Sequence, residues 1–89
     1  MKNAKTDANQ KAIVAALREA GASVQLLHRV GGGCPDLLIG YHGQNILFEC
    51  KTEKGRLNKS QENWFEKWNG DVWVIRNVDD VINALRQYA

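Results

Sequence analysis

The chain has 89 residues, 44% of them hydrophobic and 25% charged, which suits one folded domain and excludes a disordered or low-complexity chain. A net charge of +2 is too small to demand a nucleic-acid partner; two cysteines do not make a disulfide framework, and the lack of a Cys-x-x-Cys pair argues against zinc. No apolar run approaches the ~20 residues of a membrane helix, and the polar start, Met1 to Asp7, lacks the apolar core of a signal peptide. The expectation is a protein with free thiols in a reducing cytoplasm and no membrane contact.

In chain order, Asp7 to Ala20 reads as a helix with Ile13, Val14, Leu17 and Ala20 on one stripe and Gly21 as its stop. Asp7 with Gln10 matches a capping box in outline. Val24, Leu26, His28 and Val30 alternate with Ser23, Gln25, Leu27 and Arg29, which predicts a strand running up to Gly31-Gly32-Gly33. That glycine triplet is not a P-loop, because a strand and not a helix follows it. A close backbone approach at Gly32 and Gly33, by a nucleic-acid strand, is the better explanation.

Two short apolar runs follow, Asp36 to Gly40 and Asn45 to Lys51, separated by Tyr41-His42-Gly43-Gln44. This is the pattern of a β-hairpin. A polar loop, Thr52 to Leu57, leads to a helix that Asn58 and Gln61 would cap and Gly70 would stop. Trp64, Phe65 and Trp68 share a face of that helix with Gln61 and are expected in the core, with part of the face available for a subunit contact. Val72 to Ile75 is a fourth strand, and Asp79 is expected to cap a last helix presenting Val81, Ile82, Leu85 and Tyr88. The order α-β-β-β-α-β-α predicts an α/β fold in one domain, residues 1–89.

The hairpin carries the chemistry. If its turn is centred on His42-Gly43, Asp36 lies across from Glu49 with Cβ atoms ~4.5–5.5 Å apart, and Lys51 shares their face. Facing like charges are destabilising, so the pair needs a cation, and Mg²⁺, a hard ion that takes oxygen ligands, suits it. With the turn centre one residue later, Asp36 would instead face Lys51 in an ordinary salt bridge. Lys51, Lys54, Arg56 and Lys59 form a basic rim fit for a phosphodiester backbone. The plainer alternatives are a charged strand edge that deters aggregation for the acids, solvated surface lysines for the rim, and a capping role alone for Gln61. Cys34 with His28 is a remote candidate for thiol chemistry.

Pro35-Asp36 followed by Glu49-Cys50-Lys51, with the glycine-rich approach and the Gln61 helix, resembles the PD-(D/E)XK nuclease superfamily, in particular its small stand-alone VRR-NUC branch. The resemblance implies a restriction-endonuclease-like three-layer core with a small mixed four-stranded sheet. It also implies metal-dependent hydrolysis of nucleic-acid phosphodiesters, with Asp36, Glu49 and the Cys50 backbone carbonyl holding Mg²⁺ or Mn²⁺. Lys51 would orient the attacking water, Gln61 would reach over the same face, and Asp7 on the first helix would assist a metal. Cys50 replaces the aliphatic residue usual at its position, which matters little where only the main chain is used. By the same resemblance the substrate is branched DNA such as a four-way junction, the assembly a homodimer, and the setting a bacterial or phage-infected cell. A non-catalytic DNA-binding module with the same fold, and cleavage of RNA, are the alternatives.

Overall fold

The computed structural model describes residues 4–89, with side chains from residue 8 onward. The elements are α1 (Ala4–Glu19), β1 (Ser23–Leu26), β2 (Leu37–Tyr41), β3 (Gln44–Cys50), α2 (Lys59–Lys67), β4 (Val72–Ile75) and α3 (Val78–Leu85), with a closing 3₁₀ turn, Arg86–Tyr88. The strands form one mixed sheet in the order β1-β2-β3-β4, antiparallel except for the β3–β4 pair.

The hairpin sets the register of this sheet. His42 (φ 50°) and Gly43 (φ 77°) both take positive φ, as a two-residue type I′ turn requires. Tyr41 therefore faces Gln44, and Leu37 faces Phe48. Strand alternation then sorts the side chains into two sets. Leu37, Ile39, Ile46, Phe48, Cys50 and Ile75 join Ile13 and Leu17 of α1 and Val81, Ala84 and Leu85 of α3 in the buried core. Glu49 and Lys51 face the other way, toward α2. Helices thus lie on both sides of the sheet, the three-layer arrangement expected from the sequence.

Several elements differ from the sequence reading, each for a local reason. The first strand ends at Leu26, four residues before Val30, because the chain turns twice: Val30 N–H donates to Leu27 O, and Cys34 N–H to Gly31 O. Gly31, Gly32 and Gly33 all have positive φ, a run only glycine tolerates, and it ends any strand geometry. The first helix begins at Ala4, so Asp7 lies within it and not at its cap; the Asp7 side chain lies outside the described residues. Asn77, not Asp79, caps α3, accepting the Asp80 N–H at 2.8 Å while Asp80 accepts the Arg76 N–H at 2.9 Å. Ile82 is exposed, and Ala84 takes the core place beside Val81.

The largest departure is α2, which has no buried residue. Trp64 and Phe65 are half-buried and Trp68 is 47% exposed, so the aromatic stripe expected in the core forms a surface. Asn58 caps this helix as expected, in a full capping box with Gln61, but the helix ends at Lys67, short of Gly70.

Candidate metal centre

Asp36 stands immediately before the first paired residue of β2, at the place that the hairpin register sets across from Glu49. Its backbone carbonyl accepts from Leu27 N–H at 2.8 Å, which ties the residue to the end of β1. Its Oδ2 accepts the Cys50 N–H at 2.8 Å. The hairpin thus joins the two acids through a backbone amide, and the alternative register, with Asp36 facing Lys51, does not form.

Glu49 is 2% exposed, the one buried charged residue among those described. Its Oε2 accepts from Gln61 Nε2 at 3.0 Å and lies 3.6 Å from Lys51 Nζ. Its Oε1 is buried, and no donor among the described residues meets it. Burial and then the negative charge of Asp36 push the Glu49 carboxyl up to about 7, a hydrogen bond with Asp36 adds to the rise, and the Lys51 ammonium opposes it. Two carboxyls sharing a pocket, with one buried oxygen lacking a donor, form an anionic site short of positive charge.

Gln61 closes the site from above. Its Oε1 accepts from Lys51 Nζ and from Asn58 N–H, each at 2.9 Å, while its Nε2 serves Glu49. The capping role and the contact with the acidic pair are therefore one arrangement: the cap fixes the amide, and the fixed amide orients both the carboxylate and the ammonium. A pocket of about 270 Å³ opens between Asp36, Glu49, Lys51 and Gln61 on one side and Thr52, Gly55 and Arg56 on the other. Arg56 in its lining is exposed, as are Lys54 and Lys59, which flank it in the sequence. Among the described residues no three His, Cys, Asp or Glu side chains gather as a metal cluster, so an ion here would rest on two carboxylates plus main-chain oxygen and water. That set fits Mg²⁺ or Mn²⁺, since Mg²⁺ typically keeps several waters and takes one or two carboxylates.

Three residues that hold this site were missed in the sequence. Asn9 of α1 donates from Nδ2 to Lys51 O at 2.7 Å and to Arg76 O at 3.2 Å, fastening the first helix to the ends of β3 and β4. Arg76 Nη1 donates to the carbonyls of Thr52, Glu53 and Gly55, so one guanidinium shapes the loop that walls the pocket. Asn77 Nδ2 donates to Glu53 Oε2 at 2.9 Å. Only Asn77 left a signal, an N-cap residue three before Asp80; nothing in the spacing marks Asn9 or Arg76. Gly33 explains part of the glycine triplet: a Cβ there would run into the Ser60 carbonyl at the start of α2. Cys34 lies close enough to feel Glu49 and Asp36, and burial followed by those two charges raises its thiol pKa. With His28 exposed, that environment opposes a nucleophilic thiolate.

This mixed sheet, with its acids at the hairpin base and a helix over them, is a three-layer α/β fold. The solved structure of a VRR_NUC domain is similar to the chain over 98% of its length and 100% of that structure's own, with a TM-score of 0.80 and 24% identity. The chain therefore has the VRR-NUC fold that its motifs suggested. No family model and no curated protein matches the sequence. Among the described residues no helix is long and apolar enough to cross a membrane.

Proposed function

We propose that this chain is a metal-dependent endonuclease that hydrolyses DNA phosphodiester bonds. The observation that carries the reading is the buried Glu49 carboxylate, held against Asp36 with one oxygen unserved by any donor among the described residues. Asp36, Glu49 and the Cys50 carbonyl, which lies on the same strand edge as the N–H given to Asp36, would hold Mg²⁺ or Mn²⁺. Such an ion, when bound, lowers the pKa of a bound water and polarises the phosphoryl oxygen.

The chain's own residues supply the rest. Lys51 is held by Gln61 with its ammonium at the rim of the pocket, where it can orient the attacking water and offset charge gathering on the phosphate. Gln61 keeps Glu49 turned toward Asp36. Arg56, which lines the pocket, and Lys54 and Lys59 beside it in the sequence would bind the phosphates on either side of the scissile bond. Asp7 remains a candidate for assisting a metal from the first helix.

The substrate is branched DNA, a four-way junction among others, cut by a homodimer in the cytoplasm of a bacterial or phage-infected cell. Support comes from the likeness of the fold to a VRR_NUC domain; a two-fold pair of chains would present two sites to two strands. The test is cleavage of a four-way junction, a flap and a matched linear duplex in Mg²⁺ or Mn²⁺ by wild type and Glu49→Ala. Wild type should cut the branched substrates, and the variant should lose at least about a hundredfold in rate. Intact substrates with both proteins in both metals would reduce the chain to a non-catalytic binding module.

A further inference from the structure

Beside the metal centre, α2 builds a second surface that the hydrolytic reading does not use. At 100° per residue, Gln61, Trp64 and Trp68 run along one stripe, with Ser60 and Lys67 on one flank and Asn63 beyond them, while Glu66 falls on the opposite side. Gly32, Ser60, Asn63, Trp64, Lys67 and Trp68 line a groove of about 250 Å³. No carboxylate lines it; Lys67 supplies positive charge, and Asn63 supplies both a donor and an acceptor.

The indoles are fixed in place. Trp64 and Trp68 stack with ring centroids 4.5 Å apart and planes 19° apart, and Phe65 meets the edge of Trp64. Gly70 abuts the rim of Trp68 so closely that a Cβ there would stand 2.8 Å from Nε1. One side of the Trp68 ring is occupied, yet the residue remains 47% exposed. The other wall is Gly32, whose missing side chain leaves the groove open. A rigid aromatic plane with an accessible surface, bordered by amide and ammonium groups and facing a backbone wall, matches what a planar, polar-edged base requires.

We propose that this groove is a subsite for one unpaired nucleobase of the DNA strand whose phosphate occupies the Asp36–Glu49 site. The inference rests on the nuclease reading of that adjoining site and adds a substrate feature: a single-stranded or extruded nucleotide beside the scissile bond. Trp64 and Trp68 lie about 4.5 and 10 Å along the helix axis from Gln61. At a stacked spacing of about 3.4 Å, that span is one to three nucleotides. Stacking is indifferent to base identity, so the subsite selects unpaired structure and not sequence. A paired base would have to leave its duplex to enter.

The test is binding without cleavage, in chelator, read by fluorescence anisotropy of a labelled single-stranded oligonucleotide and a labelled blunt duplex. Wild type is compared with Trp68→Ala and Trp68→Phe, with sedimentation of each protein in parallel. Trp68→Ala should weaken single-strand binding roughly tenfold, Trp68→Phe should recover most of it, and duplex binding should stay within about twofold throughout. Unchanged single-strand binding by Trp68→Ala, or equal losses on both ligands, would overturn the subsite. A Trp68→Ala protein that falls from dimer to monomer would also overturn it and assign the groove to a second copy of the chain. The two readings separate cleanly. Wild type that binds as expected but cuts nothing defeats the nuclease reading alone, whereas cleavage with indifferent binding defeats the subsite alone.

Discussion

Glu49 concentrates the account at the scale of a residue. A free glutamate releases its proton near 4.5, whereas burial and Asp36 hold this one to about 7. Between those values the folded chain keeps a proton that the unfolded chain has lost. Its contribution to stability is therefore full below about 4.5 and declines as pH rises through about 7. In chelator, the melting temperature of wild type should fall by several degrees from pH 5 to pH 8 relative to Glu49→Gln. Mn²⁺ should raise the wild-type melting temperature more at pH 8 than at pH 5, because ion and proton compete for the same oxygens. Parallel pH profiles for wild type and variant, measured by calorimetry, would contradict the buried Glu49 carboxyl held beside Asp36. Gln61 makes the complementary point. Its capping box is readable from Asn58 three residues earlier, but its grip on Lys51 and Glu49 depends on where the helix docks, which no local spacing encodes.

At the scale of elements, the hairpin was legible and its neighbours less so. Alternating apolar residues around His42-Gly43 specify a register, because a one-residue slip would send Leu37, Ile39 and Phe48 to the wrong side. Residues 27–30 alternate as a strand would, yet they turn, since the glycine triplet permits a conformation that alternation cannot reveal. Asn77 and Asp79 are both good caps, and the choice fell to the one whose side chain meets the Asp80 N–H. Helical periodicity placed Trp64 and Trp68 on one stripe but could not say whether that stripe was covered. The glycine approach gives a graded prediction. Gly33→Ala must both hold φ near +84° and collide with Ser60, whereas Gly32→Ala, with open space, faces only the φ cost. The first should lose about 2–4 kcal/mol and the second about 1, read by urea denaturation. Equal losses would mean that Gly33 does not hold the start of α2.

For the whole molecule, a small sheet can serve as a catalytic frame because its two sides do different work. One side, with Phe48, Ile46 and Ile13 fully buried, supplies the core. The other is freed for charge, and α2 lies over it as a lid of polar and aromatic side chains with none buried. Asn9 and Arg76 lock the ends of β3 and β4 and the Thr52–Gly55 loop, so the strand end and loop that wall the pocket are fixed from α1 and from the residue after β4. That economy makes the metal the central claim, and calorimetric titration of Mn²⁺ into wild type and Asp36→Asn at pH 7.5 tests it most directly. The account predicts saturable binding to each wild-type chain and its loss in the variant, with the fold intact by circular dichroism. Binding that survives the Asp36 substitution undiminished, or wild type that takes up no ion at all, would contradict it.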